Sequence, residues 1–185
     1  GVGAGLSIWE SSWHDWEWAI GVNLWGVIYG IKVFVPIMIA LEEPCHIVNT
    51  SSIAGLLAQH PSAPYQVTKH AVIALTENLQ YSLIQKETKI RASVLCPGYV
   101  KTRILEAERN RPKELENEEI EISPEQEAIL QYLRESIDAG ISPQEVADLL
   151  FRAIKEEKLY VGTHPELIPR VQERMETIMS SLEVV

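Results

Sequence analysis

A strand and the helix that follows it constrain the fold more than any other part of the chain. An apolar run from residue 46 to residue 50 leads into the serine pair Ser51-Ser52, a pattern typical of a buried strand that delivers hydroxyl groups to its carboxyl end. A segment with helical periodicity begins at Tyr65, and Lys69 follows one turn later on the same face. We therefore expect a serine, a tyrosine and a lysine near one end of a sheet.

Short apolar runs alternate with amphipathic segments along the chain. Because parallel strands need long connections, this alternation predicts an α/β fold: a Rossmann-type three-layer sandwich with a parallel sheet, in a single partial domain over residues 1–185. Ser123 and Ser142 each precede a proline and begin a capping box, which marks two helix starts. Strands are expected at 46–50, 90–96 and 159–161, and the other helices at about 13–41, 65–86 and 166–181.

The charge balance restricts the partners. The chain has 16 basic and 26 acidic residues, which argues against binding to nucleic acid or to an anionic membrane surface. Residues 19–41 come closest to a membrane span, but Asn23, Lys32 and three glycines favour a buried protein helix. Cys45 and Cys96 form neither a disulfide framework nor a metal-ligand pattern, so no metal and a cytoplasmic location are expected.

Tyr65 and Lys69 have the chemistry of a proton-transfer pair. A tyrosine hydroxyl has an ordinary pKa of about 10, too high for a good general base at neutral pH. A lysine one helical turn away places a cation beside the phenolate and is expected to lower that pKa. Ser52 would hold a substrate oxygen as charge develops on it. Each pattern is common by chance, so the hypothesis depends on their joint occurrence and on further matches.

Together with these residues, three stretches resemble the short-chain dehydrogenase/reductase family. Residues 21–26, Gly-Val-Asn-Leu-Trp-Gly, resemble the family's helix with a catalytic asparagine, here Asn23. Residues 97–102, Pro-Gly-Tyr-Val-Lys-Thr, resemble its Pro-Gly-x-x-x-Thr turn, and Gly1 resembles the glycine that ends its Asn-Asn-Ala-Gly strand. Taken alone, a helical asparagine is usually a polar residue that bonds locally, and Pro-Gly is a common turn.

The resemblance implies an oxidoreductase that interconverts a secondary alcohol and a ketone, with NAD or NADP as cofactor. Tyr65 would be the general acid/base, Lys69 would lower its pKa and bond the nicotinamide ribose, and Ser52 would position the substrate oxygen. Asn23 would hold a water that links the lysine to solvent. The residues expected to flank the nicotinamide are Pro97, Gly98, Val100 and Thr102.

The resemblance also implies the partners. A small alcohol or ketone would be the substrate, and a homodimer or homotetramer would form through helices 13–41 and 65–86. The loop at 56–64 and the acidic segment at 103–122 are expected to shape the substrate pocket, and His60 can line it. Between Glu114 and Glu127 there are seven glutamates and no basic residue, so this segment is either a solvated loop or a lid over the cleft.

One family motif has no counterpart in the sequence. The Gly-x-x-x-Gly-x-Gly turn that holds the cofactor pyrophosphate occurs nowhere in the 185 residues. The N-terminal strands are therefore expected to be missing, which leaves strand 46–50 with an unpaired edge. Two explanations stay open, a recorded C-terminal part of a longer enzyme and a natural truncation. The alternative function is a non-catalytic oligomerisation module that cannot bind dinucleotide alone.

Overall fold

A parallel sheet of three strands lies at the centre of the molecule. The computed structural model describes residues 1–3, 5–58, 61–118 and 122–182. Cys45 lies opposite Ile90 and Val94 lies opposite Tyr160, so the carboxyl ends of all three strands meet at one edge. The predicted α/β class and parallel sheet are confirmed. In sheet order the strands are β1 (Cys45–Thr50), β2 (Ile90–Cys96) and β3 (Tyr160–Gly162).

The helices begin where serines cap them. Ser12, Ser123 and Ser142 form complete capping boxes, and Ser62 accepts a hydrogen bond from the backbone N–H of Tyr65. The predicted helix at 13–41 is continuous, but its middle is π-helical. The helices are α1 (Trp13–Ala19), the π-helical turn (Ile20–Trp25), α2 (Gly26–Leu41), α3 (Ala63–Gln85), α4 (Pro124–Ala139), α5 (Pro143–Lys155) and α6 (Ile168–Ser181).

Helices cover both faces of the sheet. Alternate residues of β2 point to opposite faces, so this strand contributes to a cluster on each side. On one face, Ile90 and Ala92 pack with Leu79 and Leu83 of α3, and residues of α2 close the cluster. On the other face, Leu95 packs with a second cluster formed by Val146 and Ala153 of α5 and Val161 of β3. The two clusters give the predicted three layers.

Helix α2 is more exposed than the sequence predicts. Residues 19–41 were expected to form a buried helix, yet no residue of α2 is fully buried. Ile31, Val35 and Met38 pack against the core, whereas other apolar residues of the same helix lie on the surface. The prediction is wrong for α2, because among the described residues the core covers one stripe of this helix and leaves the rest exposed. The helix from Trp13 to Leu41 is long and apolar enough to cross a membrane, although one such helix is weak evidence by itself.

Strand β1 forms the edge of the described sheet. Its hydrogen-bonded neighbour among the described residues is β2. A groove of about 320 Å³ runs along this edge between α2 and β1. The groove is lined by Gly26, Val27, Gly30, Ile31, Phe34, Val35, Met38, His46, Ile47, Val48 and Asn49.

The segment after β2 is folded into short turns. Two 3₁₀ helices, Ile104–Asn110 and Lys113–Leu115, lie within the acidic segment at 103–122. Residues 119–121 of this segment lie outside the described residues, as do residues 59 and 60 of the loop at 56–64, so the suggestion for His60 also falls outside them. The assignment of both segments to a substrate pocket stays a prediction.

Candidate active site

Ser52 lies just beyond the carboxyl end of β1. Its hydroxyl accepts a hydrogen bond from the N–H of Ala54 and contacts the carbonyl oxygen of Pro97 at 3.5 Å, so it caps a short 3₁₀ turn beside the end of β2. The preceding hydroxyl, that of Ser51, donates to the Lys69 carbonyl oxygen at 2.7 Å and is buried. The two serines thus differ in role: Ser51 fastens β1 to α3, and Ser52 faces the site.

Tyr65 and Lys69 come from the first two turns of α3. Ser52 forms a hydrogen bond with the Tyr65 side chain, which joins the strand to the helix at the predicted residues. The Lys69 Nζ lies 5.5 Å from the centre of the Tyr65 ring and donates to the Thr50 carbonyl oxygen at 3.1 Å. The structure therefore brings together the predicted serine, tyrosine and lysine.

The pKa of Tyr65 shifts in the direction opposite to the predicted one. Burial raises this pKa, and the hydrogen bond with Ser52 offsets only part of the effect. Burial also lowers the pKa of Lys69 to about 8. The lysine therefore loses its proton before the buried tyrosine ionises, so by then it carries no charge to stabilise the phenolate. At neutral pH Lys69 is still a cation, and a phenolate formed there would face it.

Asn23 lies in the π-helical turn, a distortion that is frequent at functional sites. Its side chain accepts from the Val2 N–H and donates to the Val2 carbonyl oxygen, both at 2.8 Å. It also donates to the Thr68 hydroxyl at 3.2 Å. The amide thus ties the start of the chain to α3. Both amide N–H groups are engaged, whereas Oδ1 accepts one hydrogen bond and has a second lone pair, so a water held for Lys69 can bind this oxygen.

Gly1 lies against two of the predicted catalytic residues. A Cβ atom at this position would fall 3.0 Å from Asn23 Oδ1 and 3.2 Å from Lys69 Nζ, so a side chain here would crowd both. Gly1 and Thr102 also line a cleft of about 300 Å³ together with residues of the 104–110 turn. Gly1 thus lies against both this cleft and the Lys69 ammonium group.

The turn after β2 places its backbone groups at the same edge. The Pro97 carbonyl oxygen accepts from the Ile53 N–H at 2.8 Å, which joins the turn to the Ser52 loop. Val100 forms a parallel bridge with Ile141, through bonds of the peptide groups on either side of it. In such a bridge the N–H and C=O of the bridged residue itself point away from the partner. Val100 therefore directs its own peptide groups away from Ile141.

Sequence reasoning missed two residues at this edge, Thr163 and His164, which directly follow β3. The Gly98 N–H lies 3.2 Å from His164 Nδ1 and 3.3 Å from the Thr163 hydroxyl. A Cβ atom on Gly98 would meet the His164 ring at 2.6 Å, so the imidazole lies directly on the turn. Their place after a third parallel strand was the signal available in the sequence, since ligands bind at that edge.

Comparisons with known proteins identify the family of the chain. A family model described as short chain dehydrogenase matches residues 1–113. The chain belongs to the short-chain dehydrogenase/reductase family. A family member from Burkholderia phymatum, solved in complex with NAD, has 43% sequence identity to the chain and a TM-score of 0.92. The alignment covers 98% of this chain and 64% of that one.

Curated members of the short-chain dehydrogenase/reductase family match over nearly the whole chain. The CLA biosynthesis dehydrogenase/reductase of Lactiplantibacillus plantarum is 32% identical, over 94% of this chain and 61% of its own length. The C alpha-dehydrogenase of a Sphingobium strain is also 32% identical, over 98% of this chain and 58% of its own. The chain thus spans about three fifths of the length of these relatives.

Proposed function

We propose that the chain carries the proton-transfer site of an NAD(P)-dependent oxidoreductase that interconverts a secondary alcohol and a ketone. The observation that carries this proposal is the cluster at the carboxyl edge of the sheet. There the hydroxyl groups of Ser52 and Tyr65 are hydrogen-bonded, and the Lys69 ammonium group lies beside the tyrosine ring. The names of the relatives, which are dehydrogenases and reductases, support the same class of reaction.

Each residue has one task in this proposal. The Tyr65 hydroxyl donates its proton to a ketone oxygen, and in the reverse direction the Tyr65 phenolate takes the proton from an alcohol. Ser52 keeps that substrate oxygen within reach. Lys69, charged at neutral pH, favours the phenolate that remains after the proton leaves. Asn23 fixes the start of the chain beside Lys69 and would hold a water through which protons return.

The residues around the cleft fit the nicotinamide end of a dinucleotide. Gly1 leaves room beside Lys69, which can donate to ribose hydroxyls, and Val100 offers an N–H and a C=O to a carboxamide. Thr102 lines the cleft, and the Pro97-Gly98 turn lies beside Ser52, whose hydroxyl is 3.5 Å from the Pro97 carbonyl oxygen. When bound, the nicotinamide supplies or accepts the hydride. This sequence has no glycine-rich turn of the family's type, so other groups would have to bind the pyrophosphate.

Nucleotide titration tests this proposal. We expect NAD(H) or NADP(H) to bind in isothermal titration calorimetry of the protein as its gene encodes it, and the reduced form to be consumed with a panel of ketones. The same titration of residues 1–185 alone separates the two functions. Binding supports an enzyme site that is complete in this chain, whereas no binding leaves the chain itself as the oligomerisation module.

We also propose a cytoplasmic homo-oligomer that pairs through α2 and α3. Exposed apolar side chains follow one stripe of α2 at helical spacing, and others lie on α3. Exposed apolar surface of this kind is typical of an interface. A second copy of the same helices would cover it by two-fold symmetry. The exposed residues are Trp25 at the end of the π-helical turn, Tyr29, Val33 and Ile37 on α2, and Val67, Tyr81 and Ile84 on α3.

Charge on this stripe is expected to separate the copies. Val33 is 56% exposed, so Val33→Glu leaves the core intact but buries a carboxylate in the proposed interface, which is costly without a partner. We expect the molar mass from light scattering to fall to that of a monomer. Ile129→Glu on α4, at 44% exposure, is the matched control and should leave the molar mass unchanged. A Val33→Glu protein with wild-type mass would contradict the interface.

A further inference from the structure

A buried ion pair joins the turns after β2 to helix α1. Arg111 Nη2 donates to Asp15 Oδ1 at 2.7 Å, and the two side chains are only 4% and 7% exposed. The guanidinium also lies 4.3 Å from the centre of the Trp18 ring. Glu108 accepts from both Nε and Nη2 of the same arginine, at 2.6 and 2.8 Å. We call Asp15 and Arg111 the clamp.

Asp15 forms hydrogen bonds both at the start of α1 and with the turns after β2. Its Oδ2 accepts from the Ser12 N–H and completes the capping box of α1, while Asn117 donates to its Oδ1 at 2.9 Å. Burial alone would raise the pKa of Asp15, but hydrogen bonds from Arg111, Asn117 and Ser12 outweigh burial and lower it. The carboxylate is therefore charged at neutral pH and attracts the arginine across a dry contact.

The other side of the same segment forms a wall of the cleft. Ile104, Ala107, Arg109 and Asn110 line it opposite Gly1. Ala107 is also buried in a small cluster with Val2, Trp18 and Ala19, against which Leu115 packs. Neither clamp residue lines the cleft, so the clamp acts from behind the wall. The ion pair therefore acts together with this apolar cluster to hold the segment against α1.

We propose that Asp15 and Arg111 are positioning residues that keep residues 104–117 in the arrangement that completes the cofactor cleft. This inference rests on the proposed function, because it treats the cleft as the nicotinamide site. Once one partner is removed, the other is left as a buried charge with weaker compensation, and the segment leaves its place in part of the molecules. Apparent affinity for the cofactor then falls by the fraction of molecules that remain competent.

Hydrogen exchange, measured without any cofactor, tests whether Asp15 and Arg111 hold residues 104–117 in place. Asp15→Asn retains an acceptor for the Ser12 cap and leaves Glu108 as a partner for the arginine, so the variant should fold. Arg111→Met removes the cation. We expect faster amide exchange in peptides from 104–117 of both variants, with unchanged exchange in β1, β2 and β3. Arg134→Met, which breaks an exposed pair with Glu127, is the matched control and should leave 104–117 unchanged.

Titration with NADH and NADPH tests whether loss of the clamp lowers the apparent affinity for the cofactor. If a tenth of the molecules stay competent, Kd and the cofactor KM of both clamp variants rise roughly 10-fold, while kcat at saturation is retained. A merely destabilised enzyme would instead lose kcat at constant KM. If both variants show wild-type amide exchange and wild-type Kd, the positioning role of Asp15 and Arg111 is wrong, whereas the proposed function is unaffected. A wild type that binds neither nucleotide would overturn the proposed function and the affinity claim with it.

Discussion

Replacing Tyr65 with phenylalanine is expected to lower kcat by roughly 10²- to 10⁴-fold, the range that a positioned general acid or base contributes. Phenylalanine keeps the aromatic ring beside which Lys69 Nζ lies, at 5.5 Å from its centre. It removes only the hydroxyl that is hydrogen-bonded to Ser52 and that would exchange the proton. Absorbance of the reduced nicotinamide, followed with a panel of secondary alcohols and ketones, measures the loss.

A second tyrosine provides the control for this variant. Tyr160→Phe also removes one phenol hydroxyl, which donates to Glu77 on the surface of the sheet and away from the cleft. We expect its kcat to equal that of the wild type, and the Kd of NADH to be the same in all three proteins. Turnover by Tyr65→Phe close to the wild-type rate would contradict the proton-transfer role. An increased Kd would instead assign Tyr65 to binding.

Local patterns predict the elements of this fold because several signals agree at each one. The run at 46–50 shows little alternation of apolar and polar residues, as expected for a strand covered on both faces, and it is followed by the serine pair Ser51-Ser52. The serine caps at 123 and 142 begin helices at the following proline, as capping chemistry requires. Since parallel strands end at one edge, the same pattern predicts that Ser52, Tyr65 and the Pro97-Gly98 turn lie together.

Features that depend on distant residues could not be predicted in this way. Asp15 and Arg111 are brought together by the fold, and neither carries a local signal beyond a helix cap and an ordinary charge. The pKa of Tyr65 depends on how deeply α3 is packed and on the order in which Tyr65 and Lys69 lose their protons. Burial of each residue is a tertiary property, so spacing alone suggested the wrong direction.

Replacing Lys69 with methionine is expected to stabilise the protein at neutral pH. Burial lowers the pKa of this lysine from 10.5 to about 8, so between these values the unfolded state binds more protons than the native state. Stability of the wild type therefore rises with pH across that window, and below it the fold bears the full cost of the buried charge. Methionine has a similar length and no charge.

The gain in the free energy of unfolding is expected to be on the order of 1–2 kcal/mol at neutral pH, after loss of the hydrogen bond to the Thr50 carbonyl. The difference from the wild type should shrink as pH approaches 10.5. Urea unfolding at several pH values measures it, with Lys158→Met at an exposed ion pair as control.

The same Lys69→Met variant is expected to lose activity. A cation close to the ring lowers the pKa of an acidic group by about one to three units, so its removal should cost roughly 10- to 10³-fold in kcat at neutral pH. A variant that gains stability and loses turnover is the expected result for a buried catalytic charge, because the charge destabilises the fold but is needed in the reaction. A methionine variant that is less stable than the wild type at neutral pH would show that Lys69 is retained for packing, and would remove the electrostatic argument for its role.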